Sequence, residues 1–337
     1  MSEAQNWNIT IDTFRGGYLE SQSAVRAVVV DGNGQILMQA GDPYAPVFWR
    51  STAKFVQALS LFSSGAIDRF SLEPQELALA CGSHSGGKQH VAVAKRMLEK
   101  ISASVDDLHC GPHVPLGPEE AAELAAEHLL PTKLHNNCSG KHAGMLASCR
   151  AHGFPLTDYH RNHHPLQQEI LAHLSSVSGV RPEHIQTAVD GCGAVVFRTP
   201  MVGLARAYAR LVGDTLPDQA AGRTILAAIG QHPELVAGPG RLCTELMSVT
   251  RGRLVAKVGA DGVYALGTAQ SDLGPSALAI KIADGSMRSV NAAVCKVAAA
   301  LGWLQPGEFE QLHRHYHQPI FNHQKELVGD IRVAIDD

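Results

Sequence analysis

The chain has 337 residues, 45% hydrophobic and 18% charged: enough apolar material to fill the cores of two ordinary domains, and too little charge for a disordered chain. Acidic side chains number 32 against 28 basic, a net charge of −4 with no basic run, so nucleic acid is not an expected partner. No apolar stretch approaches the roughly 20 residues of a membrane span, and the opening MSEAQNWNIT lacks the basic and apolar parts of a secretion signal; a cytoplasmic location with no membrane partner is expected.

In chain order, SAVRAVVVDGNGQILMQAG (23–41) reads as two β-rich runs around a turn at Asp31–Gly34, a hairpin composition. A helical stretch follows Ser51, with Phe55, Leu59, Phe62 and Ala66 on one face. Val91, Ala94, Leu98 and Ile101 stripe a second helix after Gly87. Pro118 with Glu119 and Glu120 opens another, and Leu166, Ile170 and Leu174 mark a helix ending before Gly179. Strand character returns at RLVAKVGADGVYALGT (253–268), a hairpin around Ala260–Gly262, and at SALAIKIADG (276–285). A last apolar helix over 289–304 can cover a sheet.

Strands from the two ends each have an apolar face to bury, which predicts one antiparallel sheet built from both termini and flanked by helices, with a helical insertion between. The fold class is therefore α/β of the α+β type. The expected division is a sheet-containing region of 1–60 with 250–337 and a mainly helical region of 61–249, the two forming a single compact catalytic unit.

Three stretches carry chemistry. In FWRSTAK (48–54), Ser51 and Lys54 lie three apart at the start of a helix, so their side chains share one face. A lysine that loses its proton can activate such a serine, and burial or a neighbouring cation lowers its pKa for that purpose. Arg50 can be that cation, or it can hold a substrate carboxylate with its forked guanidinium. In CGSHSGGK (81–88), Gly82, Gly87 and Lys88 fit most of a phosphate loop, but Gln89 stands where the magnesium-binding hydroxyl is needed, and Ser83 is the central hydroxyl for another chemistry.

The third stretch, HNNCSGKHAGML (135–146), pairs with VDGCG (189–193). Cys138 and Cys192 with a nitrogen would make a zinc-like set, and the residues alone leave His142 or His135 as the third donor, or two plain buried thiols. Seven widely spread cysteines, an odd number, argue against a disulfide framework.

FWRSTAK, CGSHSG, HNNCSGKHAGML and VDGCG, in this order and followed by AKVGADGVYALG, resemble the signatures of the rhizobial-type L-asparaginase family, or asparaginase II, from about Glu20 to the end. The resemblance implies a fold like serine β-lactamases and glutaminases, hydrolysis of L-asparagine, and a homodimer. It implies two catalytic serine–lysine pairs, Ser51 with Lys54 and Ser83 with Lys257. Arg50 and Asp190 become substrate-binding candidates, and zinc is implied on Cys138, Lys141 and Cys192, lysine replacing the histidine. The chain departs from the family pattern at Gly87, usually acidic there, and at Trp49 and Ser60, often proline. The alternatives are a phosphate-loop nucleotide-binding transferase and a catalytically silent zinc- or amino-acid-binding module.

Overall fold

The computed structural model describes residues 4–336. Eleven strands are found among them: β1 (Gln5–Arg15), β2 (Tyr18–Asp31), β3 (Ile36–Ala40), β4 (Pro46–Phe48), β5 (Gln186–Val189), β6 (Val195–Pro200), β7 (Leu254–Val258), β8 (Val263–Thr268), β9 (Ser276–Ile282), β10 (Gln318–Phe321) and β11 (Leu327–Asp336). The fold is α+β, with an antiparallel-dominated sheet flanked by helices. The chain forms two units: one runs from its start to Val47, takes in Pro200–Thr215 and resumes at Glu245; the other is Phe48–Thr199 with Leu216–Thr244.

The first unit holds an eight-stranded sheet in the order β10-β11-β1-β3-β2-β9-β8-β7. The two ends of the chain do meet in it. β1 pairs with β11 from Asn8 opposite Asp336 to Arg15 opposite Gly329, and β2 pairs with β9 from Val25 opposite Ile282 to Asp31 opposite Ser276. Every ladder is antiparallel except the short one between β1 and β3.

All of β7 and β8 and nearly all of β9 are buried, which for alternating side chains means that both faces are covered. The helices Met201–Val212 and Met287–Ala300 both pack on this part of the sheet. Both hairpins read from the sequence are present, with turns at Asp31–Gly34 and around Gly262. β1, β10, β11 and the helix Met201–Val212 were not read from it.

The second unit is mainly helical. The stretch after Ser51 is broken into short helices, Lys54–Ala58, Ser60–Ser63 and Ala66–Arg69, instead of one long one. Phe55, Leu59 and Ala66 are buried as expected; Phe62 is half-buried. Helices Lys88–Lys100, Pro118–Ala126 and Pro165–Ser178 lie where periodicity and caps put them.

The helix Ser139–His152 is the unit's axis, with every residue from Ser139 to Cys149 buried. It can be covered on all sides because Gly140 and Gly144, one turn apart, let the helix Pro74–Ala80 approach. A Cβ on Gly140 would lie 2.5 Å from both Cγ and the carbonyl oxygen of Leu79, and one on Gly144 would lie 3.3 Å from Ala80 Cβ.

The loop Cys81–Gly87 joins the helices Pro74–Ala80 and Lys88–Lys100, and a buried carboxylate clamps those two together. Glu76 takes Arg96 Nε at 2.9 Å and Lys100 Nζ at 2.8 Å, and it also accepts the Glu73 amide at 2.7 Å. Since burying an unpaired carboxylate is costly, Glu76 keeps these helices together only while both cations stay with it.

Candidate active site

Lys54 is 1% exposed, and its amine contacts the Gly82 carbonyl oxygen, Ser83 Oγ at 2.9 Å and the Asn137 carbonyl oxygen at 3.4 Å. Burial first, and then the neighbouring Lys141 cation, lower its pKa from the ordinary lysine value against the opposing pull of Cys138 and Cys192. A neutral Lys54 would give its two hydrogens to the carbonyls of Gly82 and Asn137. Its lone pair is then left facing the Ser83 hydroxyl.

Ser83 is 3% exposed, and its loop is tied down on every side. The Ser83 amide donates to the Val236 carbonyl oxygen at 2.7 Å and the His84 amide to that of Asn137 at 3.2 Å. Arg241 Nη1 donates to the carbonyl oxygens of Ser83 and Ala237. The Gly86 amide donates to His84 Nδ1 at 3.2 Å, so the hydrogen on His84 is at Nε2, which donates to Ser139 Oγ at 2.9 Å. These amides have acceptors and do not form a phosphate cradle. Lys88, meanwhile, is exposed and paired with Glu127 at 2.9 Å and Glu123 at 3.7 Å.

Ser51 differs from Ser83. It is half-buried at the first turn of the short helical stretch, and among the described residues neither its hydroxyl nor its amide has a hydrogen-bond partner. The residue before it, Arg50, has φ +49°, a left-handed conformation that costs a non-glycine residue about 1 kcal/mol or more and concentrates at functional sites.

Arg50 does not stand alone as a carboxylate fork. Its Nε and Nη2 both lie 2.9 Å from Asp190 Oδ1. Burial would raise the Asp190 carboxyl, but the Lys141 and Arg50 cations outweigh it and hold the group below the usual carboxylate range.

Asp190 opens the turn that carries Cys192, closed by the Gly193 amide on the Asp190 carbonyl oxygen at 2.8 Å. Lys141 Nζ donates to Cys192 Sγ at 2.9 Å. A hydrogen bond from the Cys138 thiol, aided by the Lys141 charge, brings the Cys192 thiol down to about 4, while Cys138 is pushed up to about 12. Burial alone would lower Lys141, but Cys192 and Cys138 raise it.

Two sulfurs and one amine thus converge, a donor chemistry that suits zinc once Cys138 and Lys141 release their protons. Among the described residues no group of three or more His, Cys, Asp and Glu side chains could hold a metal ion, so a metal on the two cysteines would need the lysine as a donor. His142 is turned elsewhere, with Nδ1 2.6 Å from the Tyr159 hydroxyl, and His135 Nδ1 accepts the Thr132 amide at 3.0 Å. All seven cysteines are buried, and none of them is in a disulfide.

Lys257 lies on β7 in the other unit, 5% exposed, with Nζ donating to the Val258 carbonyl oxygen at 2.9 Å. Of the residues that shape the site, His84, Ser139 and Arg241 were missed. His84 stands inside the Ser83 motif and was legible as a neighbour, whereas Arg241 carries no local signal.

A buried serine–lysine contact thus lies beside a thiol–amine cluster. The chain belongs to the L-asparaginase II family, whose model matches residues 11–333, and it is an amidohydrolase of that kind. No curated protein matches the sequence. Among the described residues no helix is long and apolar enough to cross a membrane.

Proposed function

We propose that the protein hydrolyses L-asparagine to L-aspartate and ammonia by serine–lysine acyl transfer. The observation that carries this reading is the contact of the buried Lys54 amine with Ser83 Oγ. Ser51, with an uncommitted hydroxyl, attacks the side-chain amide carbon. Ser83 passes the proton to the Lys54 lone pair, and the Ser51 amide donates to the oxyanion. Ammonia leaves with that proton, and water, activated by the same relay, releases aspartate. Lys257 is assigned to the relay from the family pattern, and Arg50 and Asp190 to the ends of the amino acid. A homodimer in the cytoplasm completes the reading.

Lys54 must be neutral to act, and burial lowers its folded-state pKa, so turnover should rise with pH and level off below the ordinary lysine value. A flat kcat/KM between about pH 6 and 9 would count against this base.

Cys138, Lys141 and Cys192 would hold zinc. When bound, the metal supplies a Lewis acid beside Asp190 that orients the substrate's polar groups. The direct experiment measures ammonia release from asparagine and glutamine, with metal content followed before and after chelation. About one zinc per chain is expected, falling by at least tenfold in Cys192→Ser. A metal-free protein with full activity would remove zinc from the reading, and absence of ammonia release from either amide would remove the reading itself.

A further inference from the structure

The two cysteine turns of the candidate zinc set, at Cys138 and Cys192, are joined by a stretch of chain that belongs to neither. The buried Asn136 accepts the Cys138 amide on Oδ1 at 2.9 Å, and its Nδ2 donates to the carbonyl oxygens of Cys110 at 2.8 Å and Gly111 at 3.1 Å. One side chain thus spends its acceptor on the first turn and its donors on the segment His109–Gly111.

The other end of that segment meets the second turn. Gly193, the residue after Cys192, has φ +83°, and a Cβ on it would lie 3.3 Å from the His109 carbonyl oxygen and 3.8 Å from His160 Cδ2. The His109 and His160 rings are stacked, with centroids 4.4 Å apart. The buried Tyr159 fixes this support. Its hydroxyl accepts the His109 amide at 3.0 Å and lies 2.6 Å from Nδ1 of His142, which follows Lys141 on the helix Ser139–His152. Two thiolates brought close together repel, so the turns that carry them need holding from behind. Neither Asn136 nor Tyr159 has a part in the hydrolysis described above.

We propose that Asn136 and Tyr159 are positioning residues: through the segment His109–Gly111 they set the separation at which Cys138, Lys141 and Cys192 take a zinc ion. The inference rests on the zinc reading of that cluster. A fully satisfied buried network is rigid, and hydrogen bonds behind the ligands of a metal are worth about tenfold or more in its affinity.

The test compares the wild-type full chain with Tyr159→Phe, which removes one hydroxyl and keeps the ring, and with Asn136→Asp, which keeps the acceptor for Cys138 and loses the donors to Cys110 and Gly111. Zinc affinity is measured by competition with a chromophoric chelator, and amide deuterium exchange is followed in the metal-free chain. Each variant should bind zinc about tenfold more weakly and exchange faster at Cys138 and Gly193. Ser148→Ala breaks a buried hydroxyl contact with Ser60, two turns beyond Lys141 on the same helix, and controls for general loosening. It should bind zinc as the wild type does. Unaltered zinc affinity in either positioning variant, or an equal loss in Ser148→Ala, would overturn the proposal. Failure of the zinc reading is a separate result: a wild type that takes no zinc, with Cys138 and Gly193 still exchanging faster in the variants, would keep the positioning residues and remove the metal. Wild-type exchange in both variants would overturn the positioning as well.

Discussion

Ser51→Ala should lower asparagine turnover by about a thousandfold or more while leaving the fold intact, because it removes the hydroxyl that the proposed mechanism uses as nucleophile, one with no hydrogen-bond partner among the described residues. Ser83→Ala should cost less, about a hundredfold, since a relay contributes through proton transfer and not through the covalent bond. The two serines are told apart by what surrounds them. Ser83 has its amide on Val236 and its hydroxyl on Lys54, so little of it remains for a tetrahedral intermediate. Ser51 has both groups uncommitted, next to a residue held in a strained conformation. The measurement is kcat/KM for both variants, with intact-mass analysis of acid-quenched enzyme to locate the acyl group. An aspartyl adduct on the peptide containing Ser83, or wild-type turnover by Ser51→Ala, would reverse the assignment.

Gly140→Ala should destabilise the protein by about 3 kcal/mol, the high end for an overpacked core. The new methyl group would meet the Leu79 backbone oxygen as well as its side chain, and a backbone carbonyl one residue from the end of a helix cannot turn aside as a flexible side chain could. The helices Ser139–His152 and Pro74–Ala80 would have to separate. Because the first carries Lys141 and the second leads into Ser83, activity should fall with stability. Gly144→Ala is the control. Its new contact is with Ala80 Cβ at 3.3 Å, so about 1 kcal/mol is expected. Urea unfolding of both variants decides the matter: equal losses would mean that close backbone approach is not what makes Gly140 necessary.

The sequence was most legible where signals are local. The hairpins 253–268 and 23–41 were marked by their turns, and the helix Pro165–Ser178 by its stripe and its terminal glycine. β1 and β11 escaped because TIDTFR and IRVAID mix polar and apolar residues on half-exposed strands, and their pairing links residues about as far apart as the chain allows. The helix Met201–Val212 has a polar edge at Arg206 and Arg210, one turn apart, but Pro200 stands at its N-cap with no capping side chain, so no start signal marks it. In the sequence, Ser51 and Lys54 could be read together because they lie only three positions apart. The contact of Lys54 with Ser83 spans 29 residues and depends on the helix Pro74–Ala80 returning the chain. Lys141 beside Cys192 spans 51, and no spacing rule predicts a lysine there.

The Ser83 loop is moored to three separate stretches of chain, at Asn137 and Ser139, at Val236 and Ala237, and at Arg241. A segment held at so many points does not swing aside with each catalytic cycle. Its amides at Ser83 and His84 should be among the slowest to exchange with deuterated water, opening only when much of the surrounding helical unit opens. Any local motion during turnover would therefore fall to less firmly anchored parts of the chain.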